Sequence, residues 1–154
     1  MDAVETFKLI LQEFNAASGQ NLALDDENGL SFNFAGAEVN LTVLPESANV
    51  LLWVPLARLG DDGNAPARVQ WMLEQNDGLI GSNGFTFSVD AETGTIFLSD
   101  RRSVLAFEDG ESFAAWMRLL DDILERAWMA LELQLPYVDE DEEIDDEPLV
   151  TEVK

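Results

Sequence analysis

The stretch Leu30 to Val54, LSFNFAGAEVNLTVLPESANVLLWV, decides the fold. Leu30, Phe32 and Phe34 alternate with Ser31 and Asn33; past a turn around Gly36, Val39, Leu41 and Val43 alternate with Asn40 and Thr42. A period of two puts one set of side chains on one face of an extended chain, so both runs read as half-buried strands. A loop from Pro45 to Asn49 then leads into Val50-Leu51-Leu52-Trp53-Val54, which is apolar on both faces. Three short runs joined by tight connections predict an antiparallel meander.

Working outward toward the amino terminus, Asn28-Gly29 is a turn, and Leu22 and Leu24 suggest a short extended piece. Before it, Val4, Phe7, Ile10, Leu11 and Phe14 fall on one face of a helix at about 100° per residue, with Ser18-Gly19 as the stop. Toward the carboxyl terminus, Pro66 suits the first turn of a helix over 65–76, in which Val69, Met72 and Leu73 share a face and Trp71 points away from it. Gly78, Gly81 and Gly84 interrupt the chain, and Phe85 to Val89 pairs with Thr95 to Ser99 across the Asp90 to Gly94 turn. From Gly110 to Leu133 a long helix carries Phe113, Trp116, Met117, Leu120, Ile123, Leu124, Ala127 and Leu131 on one broad face, and Pro136 ends it. Arg118 with Asp122, or Asp122 with Arg126, can pair on its solvated side. The expectation is one α+β domain over 1–136: helix, strand meander, helix, β-hairpin, long helix, with an antiparallel sheet flanked by helices. Residues 137–154 read as an acidic tail, since every position from Asp139 to Glu147 except Ile144 is acidic, and such a run does not order itself.

Composition narrows the chemistry. The chain has 154 residues, 47% of them hydrophobic, which suits one domain with a real core. Eight Lys and Arg face 31 Asp and Glu, a formal charge of -23 that repels nucleic-acid phosphates and anionic membranes. The start, Met1-Asp2-Ala3-Val4-Glu5, has no basic n-region, and the longest apolar run, Val50 to Ala57, falls far short of the roughly 20 residues a bilayer span needs. These features predict a cytoplasmic protein that contacts neither nucleic acid nor membrane. There is no Cys and no His, which removes disulfides, thiolate nucleophiles, imidazole bases and zinc sites of the usual kinds.

Three local patterns have ordinary explanations. Asp25-Asp26-Glu27-Asn28-Gly29 lacks the alternating ligands and the twelfth-position Glu of a calcium loop and reads as a turn. The glycines of Gly78 to Gly84 precede a strand and no Lys follows, unlike a phosphate loop. Asp121, Asp122 and Glu125 lie opposite the apolar stripe of their helix, where solvated charges belong. No catalytic, metal or cofactor residue is expected. The apolar residues that fit no core face are more informative: Leu9, Trp71, Met129, Leu133 and one of Leu51 or Trp53. Large apolar groups left over on several elements predict association surfaces, with local packing under loops as the competing explanation.

The order of elements and the local phrases resemble the class I type III secretion chaperones, the CesT or Tir-chaperone family. The residues that carry the resemblance are Leu11-Gln12-Glu13-Phe14 with Ser18-Gly19, Leu22 through Phe32, Val50 through Leu56, Trp71 through Asn76, Phe85 through Gly94, and the late Phe113 to Trp128 helix. Order and spacing together cover nearly the whole domain. The resemblance implies a non-enzymatic bacterial chaperone, without nucleotide or other cofactor, that forms a homodimer and holds the N-terminal segment of a secreted effector as extended chain. Strand addition at a sheet edge, with apolar side chains filling surface patches, would supply the affinity. We therefore expect Leu9, Leu51 and Trp53 to bind the partner and Trp71 to lie in the dimer interface. The acidic tail departs from the family pattern; it would act as a solvating brush that steers basic stretches of the partner, or fold back onto the partner groove through Ile144, Leu149 and Val150. Two other classes stay in view: an acidic nucleic-acid mimic that occupies a basic partner's groove, and a carboxylate-dependent hydrolase. The first predicts regularly spaced carboxylates on a folded face; the second, two carboxyls in different environments within a pocket.

Overall fold

The computed structural model describes residues 2–61 and 63–132. Helix α1 (Ala3–Ser18) starts where the Asp2 carboxylate accepts from the Glu5 N–H at 2.8 Å and stops at Gly19, whose φ of 79° turns its own N–H back to the Asn15 carbonyl. The side-chain amide of Asn15 then accepts from the Leu22 N–H and donates to the Leu22 carbonyl, which pins the Leu22–Leu24 stretch without making it a strand. The Asp25 carboxylate accepts from the N–H groups of Glu27 and Gly29, so the acidic run is a turn that opens the sheet, as its spacing implied.

Strands β1 (Gly29–Phe34), β2 (Ala37–Leu44) and β3 (Asn49–Arg58) form the expected meander. After helix α2 (Ala65–Asn76), β4 (Thr86–Val89) and β5 (Thr95–Ser103) form the second hairpin, and α3 (Gly110–Glu132) closes the described fold. The sheet is antiparallel throughout, in the order β1-β2-β3-β5-β4. The pairing of β3 with β5 joins meander to hairpin. Both strands run longer than their apolar cores, and a bulge between Pro55 and Ala57 keeps their far ends in register.

Register assigns the two faces. Leu41, Leu52, Val54, Leu98 and Phe87 point to one side, where α1 and α3 pack, and this side holds the whole buried cluster. Every residue of the stripe expected on α3, from Phe113 to Leu131, is buried. Phe14 and Phe113 meet edge to face at 4.9 Å, and Phe107 leans on Trp116 at 5.3 Å. The Trp116 indole N–H donates to Asp100 at 2.9 Å beneath the Arg102 guanidinium, which satisfies the buried polar end of that ring. Helices α1 and α3 cross at Gly110: a Cβ there would stand 2.6 Å from the Phe14 backbone nitrogen, so only glycine permits the approach.

Helix α2 departs from its expected face. Arg68 and Met72 point inward, with one Arg68 guanidinium nitrogen donating to the Leu59 carbonyl. Trp71 is half-buried, its ring 5.3 Å from that of Phe87, whereas Leu73, expected to share the inward face with Met72, is 61% exposed. The inward stripe contains an arginine, and hydropathy alone assigns such a position to the surface. On α3, Asp122 pairs with Arg126, and Arg118 bonds Glu111 instead of Asp122. Pro136, Leu133 and the acidic run lie outside the described residues.

Candidate partner-binding site

A five-stranded open sheet has two edges, and here they are unequal. At β4, the Asn76 carboxamide accepts from the Phe87 N–H at 2.8 Å and donates to the Phe87 carbonyl at 3.0 Å. This side chain closes the edge as a neighbouring strand would, and the fold protects itself there against stray pairing. At β1, the start is capped because Asp25 donates its N–H to the Gly29 carbonyl at 2.8 Å and accepts from the Gly29 N–H. Beyond that cap β1 has a strand neighbour on one side only. Its inward side chains, Leu30, Phe32 and Phe34, are only partly buried against the core, and the rings of Phe32 and Phe34 stand 6.5 Å apart. An extended chain laid along β1 would find both a backbone ladder and an apolar shelf.

The outward face of the sheet carries Trp53 beside Ser99 and Asn40, Leu51 between Thr42 and Arg101, and Pro55 beside Phe97. Leu51 and Trp53 thus leave the core together, since alternation buries Val50, Leu52 and Val54. Both are half-buried, and neither belongs to the core cluster. Asn40 donates to the Trp53 carbonyl and accepts from the Ser31 hydroxyl at 2.7 Å, which ties the face to β1. Leu9 is 44% exposed and lies on the side of α1 away from the sheet. The structure therefore puts Leu9 on one side of the molecule and Leu51 with Trp53 on the other. One partner segment reaches both only by passing round an edge of the sheet.

Trp71 sits in the seam between α2 and β4. Around that seam the exposed large apolar residues are Leu73 on α2, Leu79 and Ile80 in the turn after it, and Val89 on β4, with Ile80 exposed by 85%. Sequence periodicity missed all four. The signal for Ile80 was available: an isoleucine inside a glycine-rich loop has no regular face on which to hide. Met129, flagged from the sequence, is 66% exposed; Leu105, not flagged, is 82% exposed.

The loop 77–84 is docked to α3 by polar contacts. Asn83 donates to the Leu119 carbonyl and to the Asp122 carboxylate, and Arg126 reaches the Gly81 carbonyl. The Asn83 amide, seconded by Arg126, holds the Asp122 carboxyl below its ordinary 3.8. The Asp25 carboxyl is lowered likewise by the N–H groups of Gly29 and Glu27. Among the described residues no group of acidic side chains is arranged to hold a metal ion, and no helix is long and apolar enough to cross a membrane. Glu38 is the only carboxylate on the outward face of the strands, so that face does not carry the spaced acids a nucleic-acid mimic requires.

A family model described as the Tir chaperone protein (CesT) family matches residues 9–122, most of the chain. The chain belongs to that family, and so is a type III secretion chaperone, a non-enzymatic protein. Solved structures have the same fold. A chain of the ExsC-ExsE complex aligns with a TM-score of 0.65 at 22% identity, covering 88% of this chain and 98% of that one. The type III secretion chaperone SycH of Yersinia pestis, in complex with a fragment of YscM2, gives 0.60 at 14% identity over 80% and 98% of the two chains. The ExoU-SpcU heterodimeric complex of Pseudomonas aeruginosa gives 0.59 at 19% identity over 79% and 94%. No curated protein sequence matches the chain.

Proposed function

We propose that this chaperone acts in the bacterial cytoplasm as a homodimer that holds the N-terminal segment of a secreted effector in extended form. The observation that carries this reading is the asymmetry of the sheet: Asn76 closes the β4 edge, while β1 keeps an open side flanked by half-buried Leu30, Phe32 and Phe34. An extended segment added at β1 would exchange backbone hydrogen bonds with the sheet. Its alternate side chains would pack on the apolar shelf, and a further part of the segment would cross the outward face to Leu51 and Trp53 on β3, two strands in from that edge. Leu9, across the molecule, would engage a further part of the same segment as it winds round. The solved complexes bearing the names of chaperone and effector, such as HopA1-SchA, support a protein partner. The apolar group of Leu73, Leu79, Ile80 and Val89 supports a second copy docking beside Trp71. Residues 1–136 would form the working domain and 137–154 an appended acidic tail.

The test is capture from the native cell followed by mass spectrometry. Titration of the identified N-terminal segment against Leu9→Glu, Leu51→Glu and Trp53→Glu follows, with circular dichroism as the folding control. Each substitution puts a charge into a contact that must desolvate and should weaken binding at least tenfold. Full binding by all three variants overturns the surface assignment. Unchanged binding by a segment N-methylated at alternate backbone positions overturns strand addition.

A further inference from the structure

In a chain with 31 Asp and Glu, the outward face of the sheet has been kept almost free of them. Register puts Glu38 there and no other carboxylate, but also Arg58 and Arg101. The remaining positions are apolar, as at Leu51, Trp53 and Phe97, or uncharged Ser, Thr and Asn. Depletion of charge with retention of aromatics and arginine marks a surface that is covered in use. Arg101 is exposed, stands directly across from Leu51, and makes no ion pair among the described residues. Arg102, Arg118 and Arg126 are each committed to a carboxylate.

A cationic occupant would have favoured an acidic face, so the occupant is uncharged or anionic and supplies a carboxylate to Arg101. One such segment is already tethered to the domain. Residues 139–154 combine the densest acidic run in the chain with Ile144, Leu149 and Val150, an aliphatic-acidic pattern that matches an apolar face bearing Arg58 and Arg101. Residues 133–154 supply, at about 3.3 Å per residue, far more length than is needed to pass round a domain with a radius of gyration of about 14 Å. Tethering also raises the local concentration of the segment to roughly millimolar, so contacts too weak to bind in trans are populated.

We infer that the acidic carboxy-terminal segment occupies the outward face of the sheet when no partner is bound, with its carboxylates on Arg101 and its aliphatic residues against Leu51 and Trp53. The segment is then an internal competitor that an incoming partner displaces. That consequence rests on the proposed partner reading; the contact itself does not, and the two fail separately.

The absence of cysteine allows a clean test on the full-length chain. A nitroxide attached through Val150→Cys should broaden the NMR signals of the Leu51 and Arg101 amides and the Trp53 indole at low salt to less than half their diamagnetic intensity. Signals from Leu9 and Lys8, on the far side of α1, should keep theirs. Arg101→Glu, or half-molar salt, should restore the broadened signals at least twofold, with all other chemical shifts retained as evidence of an intact fold. Absence of selective broadening, or broadening centred on Leu9, overturns the inference. Broadening in a mixture where the spin label and the isotope sit on different chains would assign the contact to a second copy and overturn it as an internal one. If the contact is seen but deleting residues 139–154 does not tighten binding of the captured effector segment, the competitor role falls and the contact stands.

Discussion

Replacing Asn76 by Ala removes the one side chain that completes the β4 edge. The two hydrogen bonds it makes to Phe87, at 2.8 and 3.0 Å, are partly buried. Each is worth about 1 kcal/mol net, and a peptide group left without a partner costs about 1–3 kcal/mol when water cannot reach it. Because solvent reaches part of this site, the expected loss is near the lower end for both groups together, about 2 kcal/mol. The better helix propensity of Ala offsets roughly 0.5 kcal/mol of that at most. Urea denaturation should show a lower midpoint with an unchanged slope, since the surface exposed on unfolding is the same. Hydrogen exchange at the Phe87 N–H should quicken by an order of magnitude or more beyond the global change. Asn76→Asp separates the hydrogen bonds from mere packing. Its carboxylate still accepts from the Phe87 N–H but faces the Phe87 carbonyl without a proton to donate, so at neutral pH it should be at least as damaging as Ala. The opened edge should also promote concentration-dependent association. An Ala variant within 0.5 kcal/mol of the parent, with Phe87 exchange unaltered, would refute the claim that Asn76 seals the edge.

Gly110→Ala should destabilise by about 1–3 kcal/mol and lower Tm by roughly 2–12 °C, because the new methyl meets α1 backbone at 2.6 Å and neither helix can yield alone; an unchanged Tm would mean that the crossing is looser than described. The Asp122 carboxyl is depressed by Asn83 and Arg126, so its stabilising effect is full above the unfolded value near 3.8 and fades as pH falls through the lower folded value. Amide protection in residues 77–84 should therefore drop below about pH 3.8, and Asp122→Asn should flatten that dependence; a parallel profile in the variant would move the effect elsewhere. Ile80→Glu should halve the mass measured by light scattering with the fold intact, since Ile80 is open to solvent and not part of the core. Trp71→Asp should lower stability as well as mass, because its ring packs on Phe87 within the same chain; unchanged mass in both variants would remove this side of α2 from the dimer interface.

What the sequence by itself determined is what local periodicity can encode. Alternation at Leu30–Phe34 and Val39–Val43 specified strands and their buried faces, and the stripe from Phe113 to Leu131 specified the face of α3, because one residue's orientation follows from its neighbours' spacing. The acidic turn at Asp25 and the two hairpins followed from turn chemistry in the same way. Tertiary structure decided the rest. The pairing of β3 with β5 joins segments separated by a whole helix and a glycine-rich loop, and nothing local records it. That pairing made β1 and β4 the edges, and only then did Asn76 become a seal and β1 a place for another chain. The inward face of α2 turned on Arg68, whose guanidinium donates to the Leu59 carbonyl in the connection from β3, a partner that hydropathy does not register, so hydropathy put Leu73 inside and the structure put it outside. Leu9, Leu51 and Trp53 were legible as residues without a core position, since periodicity reveals what does not fit. Which side of the molecule each of them faces was not, because that depends on how helices and sheet stack, a long-range packing outcome that sequence spacing does not carry.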